Sequence, residues 1–289
     1  MELEADTPAG ASEAAIQAHY DTGNEFFRLW LDPTVTYSCA LFADDGDDQD
    51  LERAQLRKLD HHAREAGVVP GSCVLDVGSG WGSMLRRLVV THGAAEAVGL
   101  TLSKAQYEHV AALRLPGVSV RLESWTDHRP EQPYDAIVSI GALEHFVRPE
   151  TPTPERIDVY RDFFRRCRQL LRPGGRMSLQ TMAYGIGRFT RGALSTIFPE
   201  SDLPRLAELT EAMERSFTIV RLRNDPSHYA RTVRIWRENV RRHRDELARI
   251  VGDARLVHYE KFLEASARGF DAGVFELFRI TLRRVDAGD

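Results

Sequence analysis

The run Val74-Leu75-Asp76-Val77-Gly78-Ser79-Gly80-Trp81-Gly82 reads as a buried strand that turns through a glycine loop into a helix, an arrangement suited to holding a nucleotide-like cofactor. Gly78, Gly80 and Gly82 stand at alternate positions, where missing side chains let the backbone close on a ligand. The helix expected over Met84 to Val90 would offer its free N–H groups at the turn. NAD enzymes and methyltransferases share this spacing, and a loop that is only a tight turn also satisfies it. The second strand separates the two cofactors, because in a dinucleotide site it ends near an acid that grips the ribose diol. Here Ala97-Val98-Gly99-Leu100 runs into Thr101-Leu102-Ser103, and Glu96 precedes the strand instead. The expected cofactor is therefore S-adenosylmethionine.

Such a loop works at the carboxyl edge of a sheet, and the chain alternates accordingly. Strands are expected at Cys73 to Val77, Ala97 to Leu100, Val118 to Leu122 and Tyr134 to Ile140, with helices between them, one starting at Lys104. This pattern predicts a parallel sheet with crossovers. A helix over Arg156 to Leu171 should be stopped by Arg172-Pro173-Gly174-Gly175 before a strand at Arg176 to Met182. The alternation then lapses into short helices and loops around Pro199 and Pro204. A strand at Phe217 to Leu222, helices over Tyr229 to Val251 and Ala254 to Arg268, and a closing strand at Phe275 to Leu282 complete the chain. Upstream, residues 14–30 carry apolar positions at helical spacing, broken by Asp21-Thr22-Gly23-Asn24, and a helix spans Leu51 to Ala66. Asp44-Asp45-Gly46-Asp47-Asp48 reads as a solvated turn, since a calcium loop would need a glutamate at its twelfth position.

The expected organisation has four parts: a helical cap over 1–66, the cofactor-binding core over 67–183, a helical substrate lid over 184–215, and completion of the core over 216–289. Phe189, Leu194, Ile197, Phe198 and Leu203 give the lid an apolar face that fits either a chain or a ring. At 289 residues, 43% hydrophobic and 28% charged, the composition is that of an ordinary globular protein with one large domain or one domain carrying an insertion. A net charge of −5 gives no general attraction to nucleic acid or anionic membranes, and the arginines between Arg234 and Arg244 alternate with acids on a solvated helix face. Cys39, Cys73 and Cys167 have no metal-ligand spacing, so no metal is expected. Unpaired thiols, no apolar signal core in Met1 to Glu13 and no membrane-length apolar run lead to an expectation of a cytoplasmic protein.

Several further segments join the glycine loop: His19-Tyr20-Asp21-Thr22-Gly23-Asn24-Glu25-Phe26-Phe27, Thr36-Tyr37-Ser38-Cys39-Ala40, Val98 through Lys104, Ile140-Gly141-Ala142-Leu143-Glu144-His145-Phe146, Ile197-Phe198-Pro199 and His228-Tyr229-Ala230-Arg231-Thr232. Together, and in this order, they resemble the cyclopropane fatty acid synthases, most closely the short mycolic acid cyclopropane synthases and their methyltransferase relatives. The resemblance implies an α/β class I methyltransferase fold, with a Rossmann-like, mostly parallel seven-stranded sheet under a helical lid. It also implies that Gly78, Gly80 and Gly82 contact the cofactor, that Tyr37 and Ser38 cover its amino acid end, that Thr101, Leu102 and Gln106 hold the ribose, and that Trp125 lies against the adenine.

In this family an electron-rich carbon, usually of a cis alkene, attacks the sulfonium methyl, so the site must stabilise a carbocation, exclude water and remove a proton. The resemblance gives Glu144, with Gly141, Cys39, Tyr229 and a histidine, the role of cradling a bicarbonate that serves as base, and sets Tyr20 beside the cation. One position departs from the pattern: Gln180 stands where the histidine belongs. Glutamine donates a hydrogen bond to an anion but cannot shuttle a proton. His145, beside Glu144, either substitutes or caps its loop, and Cys39, Tyr229 and Trp125 have plain packing readings as well. The reading is an S-adenosylmethionine-dependent methyltransferase of the cyclopropane synthase type, acting on a hydrophobic small molecule or lipid acyl chain. A tailoring C-, N- or O-methyltransferase of secondary metabolism, or a cyclase that retains the cofactor, is the alternative.

Overall fold

The computed structural model describes residues 10–20, 22–43, 50–186 and 197–286. The acidic turn Asp44 to Asp48 and two apolar residues of the expected lid, Phe189 and Leu194, lie outside these.

Seven strands form one sheet in the order β3-β2-β1-β4-β5-β7-β6. Here β1 is Cys73–Val77, β2 Glu96–Thr101, β3 Val118–Leu122, β4 Tyr134–Ile140, β5 Leu171–Tyr184, β6 Phe217–Asn224 and β7 Phe275–Arg284. The pairs among β1 to β5 are parallel, and β7 runs antiparallel to both β5 and β6. Because the chain leaves β1 toward β2 and β3, then returns to its other side at β4, the carboxyl ends of β1 and β4 flank the crevice where such sheets take ligands.

Alternating side chains sort the core onto two faces. Leu75, Val77, Val98 and Leu100 pack with Phe163, Phe164 and Leu170 of the helix Thr153–Leu170. Val74, Ala97, Ala136 and Val138 face Leu59, Ala63, Leu85 and Leu88 on the helices Leu51–Glu65 and Ser83–Val90. Cys167 is buried in the first of these layers, and all three cysteines are free thiols.

A third apolar cluster roofs the crevice. The N-terminal segment, with helices Glu13–Tyr20 and Asn24–Arg28, contributes Phe26, Phe27, Trp30 and Leu31. These pack on Trp236, Val240, Leu256 and Tyr259 from the helices Pro226–Arg242 and Asp253–Asp271. Ring centroids lie 4.9 Å apart for Phe26 and Tyr259 and 5.7 Å for Trp30 and Trp236. Each fully buried ring of this size contributes about 1.5–3 kcal/mol. The first helices and the C-terminal ones thus make one roof, joined by Trp81, Leu51 and Ala54.

Several boundaries differ from the sequence expectation. β5 begins at Leu171, which pairs with Tyr134, and the register jumps so that Ala136 meets Arg176. Arg172-Pro173-Gly174-Gly175 is therefore a bulge within the strand, with Gly174 at φ 74°, where a helix stop was expected. The helix expected over Tyr229 to Val251 starts at Pro226, whose lost N–H is harmless in the first turn, and breaks at His243 before Arg244–Val251. The next helix runs from Asp253 to Asp271, after Gly252 at φ 80°. No described helix is long and apolar enough to cross a membrane, and no three described metal-binding side chains converge.

Candidate active site

A cavity of about 680 Å³ opens over the carboxyl ends of β1, β2 and β4. Tyr37, Ser38, Gly78, Gly80, Thr101, Leu102, Gln106 and Trp125 all line it. The three loop glycines serve different ends. A Cβ on Gly78, at φ 83°, would sit 2.5 Å from the Cβ of Ala142, whereas one on Gly80 would meet nothing within 4 Å, so only Gly80 leaves room for a ligand. Gly82 does not line the cavity. It opens the helix Ser83–Val90 at φ 81°, and its absent Cβ lets Val110 approach. The N–H groups of Gly78 and Ser79 donate to Leu100 O at 3.1 and 2.9 Å, so the loop is held to the end of β2.

Thr101 Oγ1 donates to Gln106 Oε1 at 2.8 Å, which fixes the two ends of that amide. Trp125 lines the cavity and also packs against Phe146 and Phe163, at 5.5 and 5.3 Å between centroids. The buried Tyr37 hydroxyl has no hydrogen-bond partner among the described residues, as suits a group awaiting a ligand. Lys58 and Asp76 are among the further charged residues that line this cavity. The Lys58 ammonium donates to Ser38 Oγ at 2.8 Å, and burial brings its pKa down to about 7. Burial pushes the Asp76 carboxyl up to about 7, against the pull of Lys58.

Tyr20, Tyr37, Ser38, Gly141 and His145 line this cavity on one side and a second chamber of about 110 Å³ on the other. Leu203, Val233, Trp236, Phe262, Phe270 and Leu277 give the chamber apolar walls, and Glu144, Gln180 and Tyr229 supply polar groups. Gly141, at φ 70°, follows β4 and donates its N–H to Gln180 O at 3.0 Å, and the short 3-10 turn Leu143–His145 then sets Glu144 inward. Glu144 Oε1 accepts from Met182 N at 2.7 Å, while Oε2 is buried without a partner among the described residues. Burial raises this carboxyl to about 7, with the Met182 N–H pulling the other way. The Tyr20 hydroxyl lies 3.0 Å from His145 Nε2, and His145 Nδ1 lies 2.7 Å from Ser201 Oγ. Burial lowers His145 to about 4, so the ring is neutral at pH 7 and one nitrogen accepts while the other donates. Tyr229 packs its ring on Phe270 at 4.7 Å, and burial holds its hydroxyl protonated.

Gln180 belongs to a buried polar cluster that sequence reasoning did not see. Its Oε1 accepts from Arg279 Nε at 2.9 Å and lies 3.3 Å from His62 Nε2, while its Nε2 donates to Cys39 O at 3.4 Å. Arg279 also donates to Ala40 O at 3.0 Å and forms an ion pair with Asp225. His62 Nδ1 lies 2.8 Å from Ser178 Oγ. Cys39 lines neither cavity. Its thiol donates to Ala40 O at 3.2 Å, and burial raises it to about 11, so it is a core thiol and neither a nucleophile nor a chamber contact. Of the residues that the resemblance assigns to a bicarbonate, Gly141, Glu144 and Tyr229 line the chamber, Cys39 does not, and Gln180 stands there in place of the histidine.

A signal for part of this cluster stands in the sequence. On the helix Leu51–Glu65 the buried stripe Leu51, Ala54, Gln55, Lys58, Leu59, His62 includes three polar side chains at helical spacing. Arg279 likewise interrupts the apolar run of β7 from within the core.

A family profile described as mycolic acid cyclopropane synthetase matches residues 9–280. The chain is 34% identical over 290 residues to the cyclopropane mycolic acid synthase MmaA2 of Mycobacterium tuberculosis, covering 93% of this chain and 96% of that one. The structure of MmaA2 superposes with a TM-score of 0.86 at 33% identity, over 96% of this chain and 100% of that one. Mycolic acid cyclopropane synthase CmaA1, in complex with SAH and CTAB, superposes with a TM-score of 0.82 at 32% identity, over 95% and 99% of the two chains. The chain therefore belongs to the mycolic acid cyclopropane synthetase family and is an S-adenosylmethionine-dependent methyltransferase.

Proposed function

We propose that this member of the family transfers a methyl group to an electron-rich carbon of a hydrophobic acceptor, with Glu144 as the group that receives the proton. The observation that carries the reading is the shared wall of Tyr20, Tyr37, Ser38, Gly141 and His145, with a large cavity on one side and an apolar chamber holding a free carboxylate oxygen on the other. S-adenosylmethionine, when bound, supplies an electrophilic methyl on a sulfonium.

Gly80, Tyr37, Ser38, Thr101, Leu102, Gln106 and Trp125 hold the cofactor, and Gly78 and Gly82 shape the loop around it. The apolar walls of the chamber exclude water, which keeps a carbocation or enolate from side reactions. Tyr20 and Tyr229 present ring faces and neutral hydroxyls to developing positive charge. Glu144 Oε2 is ionised above pH 7, and in a dry chamber its charge both stabilises the cation and accepts the proton that leaves. Bicarbonate is not needed in this scheme. The detergent CTAB in the CmaA1 complex supports a long apolar acceptor for that relative, and the walls of this chamber suit a hydrophobic acceptor here.

The test is incubation with methyl-labelled S-adenosylmethionine and apolar and polar extracts, followed by mass spectrometry of every labelled product. Label on carbon in the apolar fraction is the expected result. Turnover of an acceptor with the donor left intact would instead show a cyclase, and label only on nitrogen or oxygen of polar compounds would overturn the carbon assignment.

A further inference from the structure

We infer that the Gln180 amide anchors an oxygen atom of the acceptor, so that the acceptor is a hydrophobic enol or phenol methylated at the carbon next to the oxygen-bearing one. This rests on the methyl-transfer reading above and adds the acceptor class. Arg279 has N–H donors and no lone pair, so the amide end facing it is the oxygen. Arg279 cannot swing aside, because Asp225 and Ala40 O hold its other nitrogens in a buried site. His62 reinforces the choice by standing against the same oxygen, with Ser178 on its far nitrogen.

Gln180 lines the chamber, and its NH2 is the end that Arg279 leaves over. One N–H makes a long bond to Cys39 O at 3.4 Å, and the other has no partner among the described residues. Glu144 Oε2 is an acceptor of that chamber without a partner among the described residues, and the Tyr37 hydroxyl, Trp236 Nε1 and Ser266 Oγ of its lining residues are unpartnered there too. The Gln180 amide is a donor and the Glu144 oxygen an acceptor. A hydroxyl on an unsaturated carbon satisfies both at once, donating to Glu144 and accepting from Gln180. A plain alkene satisfies neither, and leaving buried polar groups unpaired costs about 1–3 kcal/mol each.

In the reaction, the acceptor hydroxyl proton passes to Glu144 Oε2, the adjacent carbon forms the bond to the methyl group, and the sulfur–methyl bond breaks with its electron pair kept by sulfur. An enol leaves as the α-methyl ketone, and a phenol returns to its aromatic form by tautomerisation. No oxidant or metal enters the balance.

The test measures binding to the SAH-loaded enzyme with two probes of similar apolar size, 5-pentylresorcinol and pentylbenzene. Wild type should bind the resorcinol about 10-fold more tightly or better, equivalent to about 1.4 kcal/mol. Gln180→Met should lose the preference. Gln180→Glu, isosteric and matched to Arg279, should fold even if the methionine variant does not, and should lose the preference too. Affinity for SAH should stay within about twofold throughout. Equal affinity of the two probes for wild type, no binding of the resorcinol, or a preference that survives in Gln180→Glu would overturn the anchor. If the preference is present and lost as expected, but labelled S-adenosylmethionine gives no methylresorcinol, the methyl-transfer reading falls and the anchor stands.

Discussion

The proposed cofactor cavity and the proposed acceptor chamber share a wall but draw on the sequence differently. The cavity is lined largely from the stretch Asp76 to Asp127, with Ile140 to Phe146 beside it and the N-terminal segment over it. The chamber is made of side chains from segments as far apart as Tyr20, Glu144, Gln180 and Leu277. The glycine loop fails when an atom is added, since a Cβ on Gly78 would sit 2.5 Å from that of Ala142. A side-chain chamber fails when a charge or a donor is removed. Substitutions on the two sides should therefore separate binding from chemistry.

The largest effect belongs to the chamber. Glu144→Gln keeps size and removes the proton acceptor, so kcat should fall by about 10²–10⁴-fold while cofactor affinity, measured by calorimetry, changes by less than about twofold. Loss of cofactor binding would merge the two sites and break the comparison. In wild type, the rate should rise as pH increases through about 7, where Glu144 ionises. The opposite slope would mean that Glu144 acts as an acid.

On the cavity side, Gly78→Ala should act on binding and stability first. The added methyl meets Ala142 Cβ at 2.5 Å, and the residue must keep φ 83°, unfavourable for any side chain. Overpacking and strain together should cost about 2–4 kcal/mol in chemical denaturation and weaken cofactor binding. A substantial fall in kcat at saturating cofactor, with affinity unchanged, would show that the loop takes part in the chemistry.

Burial of Glu144 has a thermodynamic side that sharpens the contrast. Its folded pKa of about 7 lies above the ordinary 4.5, so the native state holds the proton more tightly than the unfolded chain. The associated stability is full below pH 4.5 and is lost as pH rises through about 7. Glu144→Gln should therefore be more stable than wild type at pH 8, by on the order of 3 kcal/mol, with the gain gone at pH 4. Equal stability of the two proteins at both pH values in urea titrations would show that the carboxylate is solvated.

These contrasts also explain what could be read in advance. The glycine loop was legible because its determinants are local, with strand, glycine turn and helix within one stretch. Tyr37, Thr101, Gln106 and Trp125, like Tyr20, Glu144 and Tyr229, were named only through a family resemblance. The cluster of His62, Arg279 and Asp225 around Gln180 was not, because a charge inside a strand reveals its partner only after β7 has been placed beside β5. Cys39 shows the same limit, since its sequence position beside Ser38 does not reveal that Ala40 O and Arg279 hold the thiol away from the chamber. The bulge at Arg172–Gly175 was misread because Pro-Gly-Gly terminates helices and interrupts strands by the same backbone freedom, and only pairing with β4 distinguishes the two.

The smallest effect is expected where one residue serves both packing and binding. Trp125 shows a face to the cofactor cavity while its ring packs on Phe146 and Phe163. Trp125→Leu retains apolar bulk toward the two phenylalanines but gives up the flat surface available to a base. Stacking of this kind is worth about 0.5–1.5 kcal/mol beyond area burial, so SAH affinity should fall by about 3–10-fold. The accompanying loss of stability should stay near 1 kcal/mol, because partly buried aromatics forfeit less on truncation than core ones. A fall in stability with affinity intact would assign Trp125 wholly to the layer between the sheet and the helix Thr153–Leu170. The cofactor side would then owe its recognition to Tyr37, Thr101, Gln106 and the loop alone.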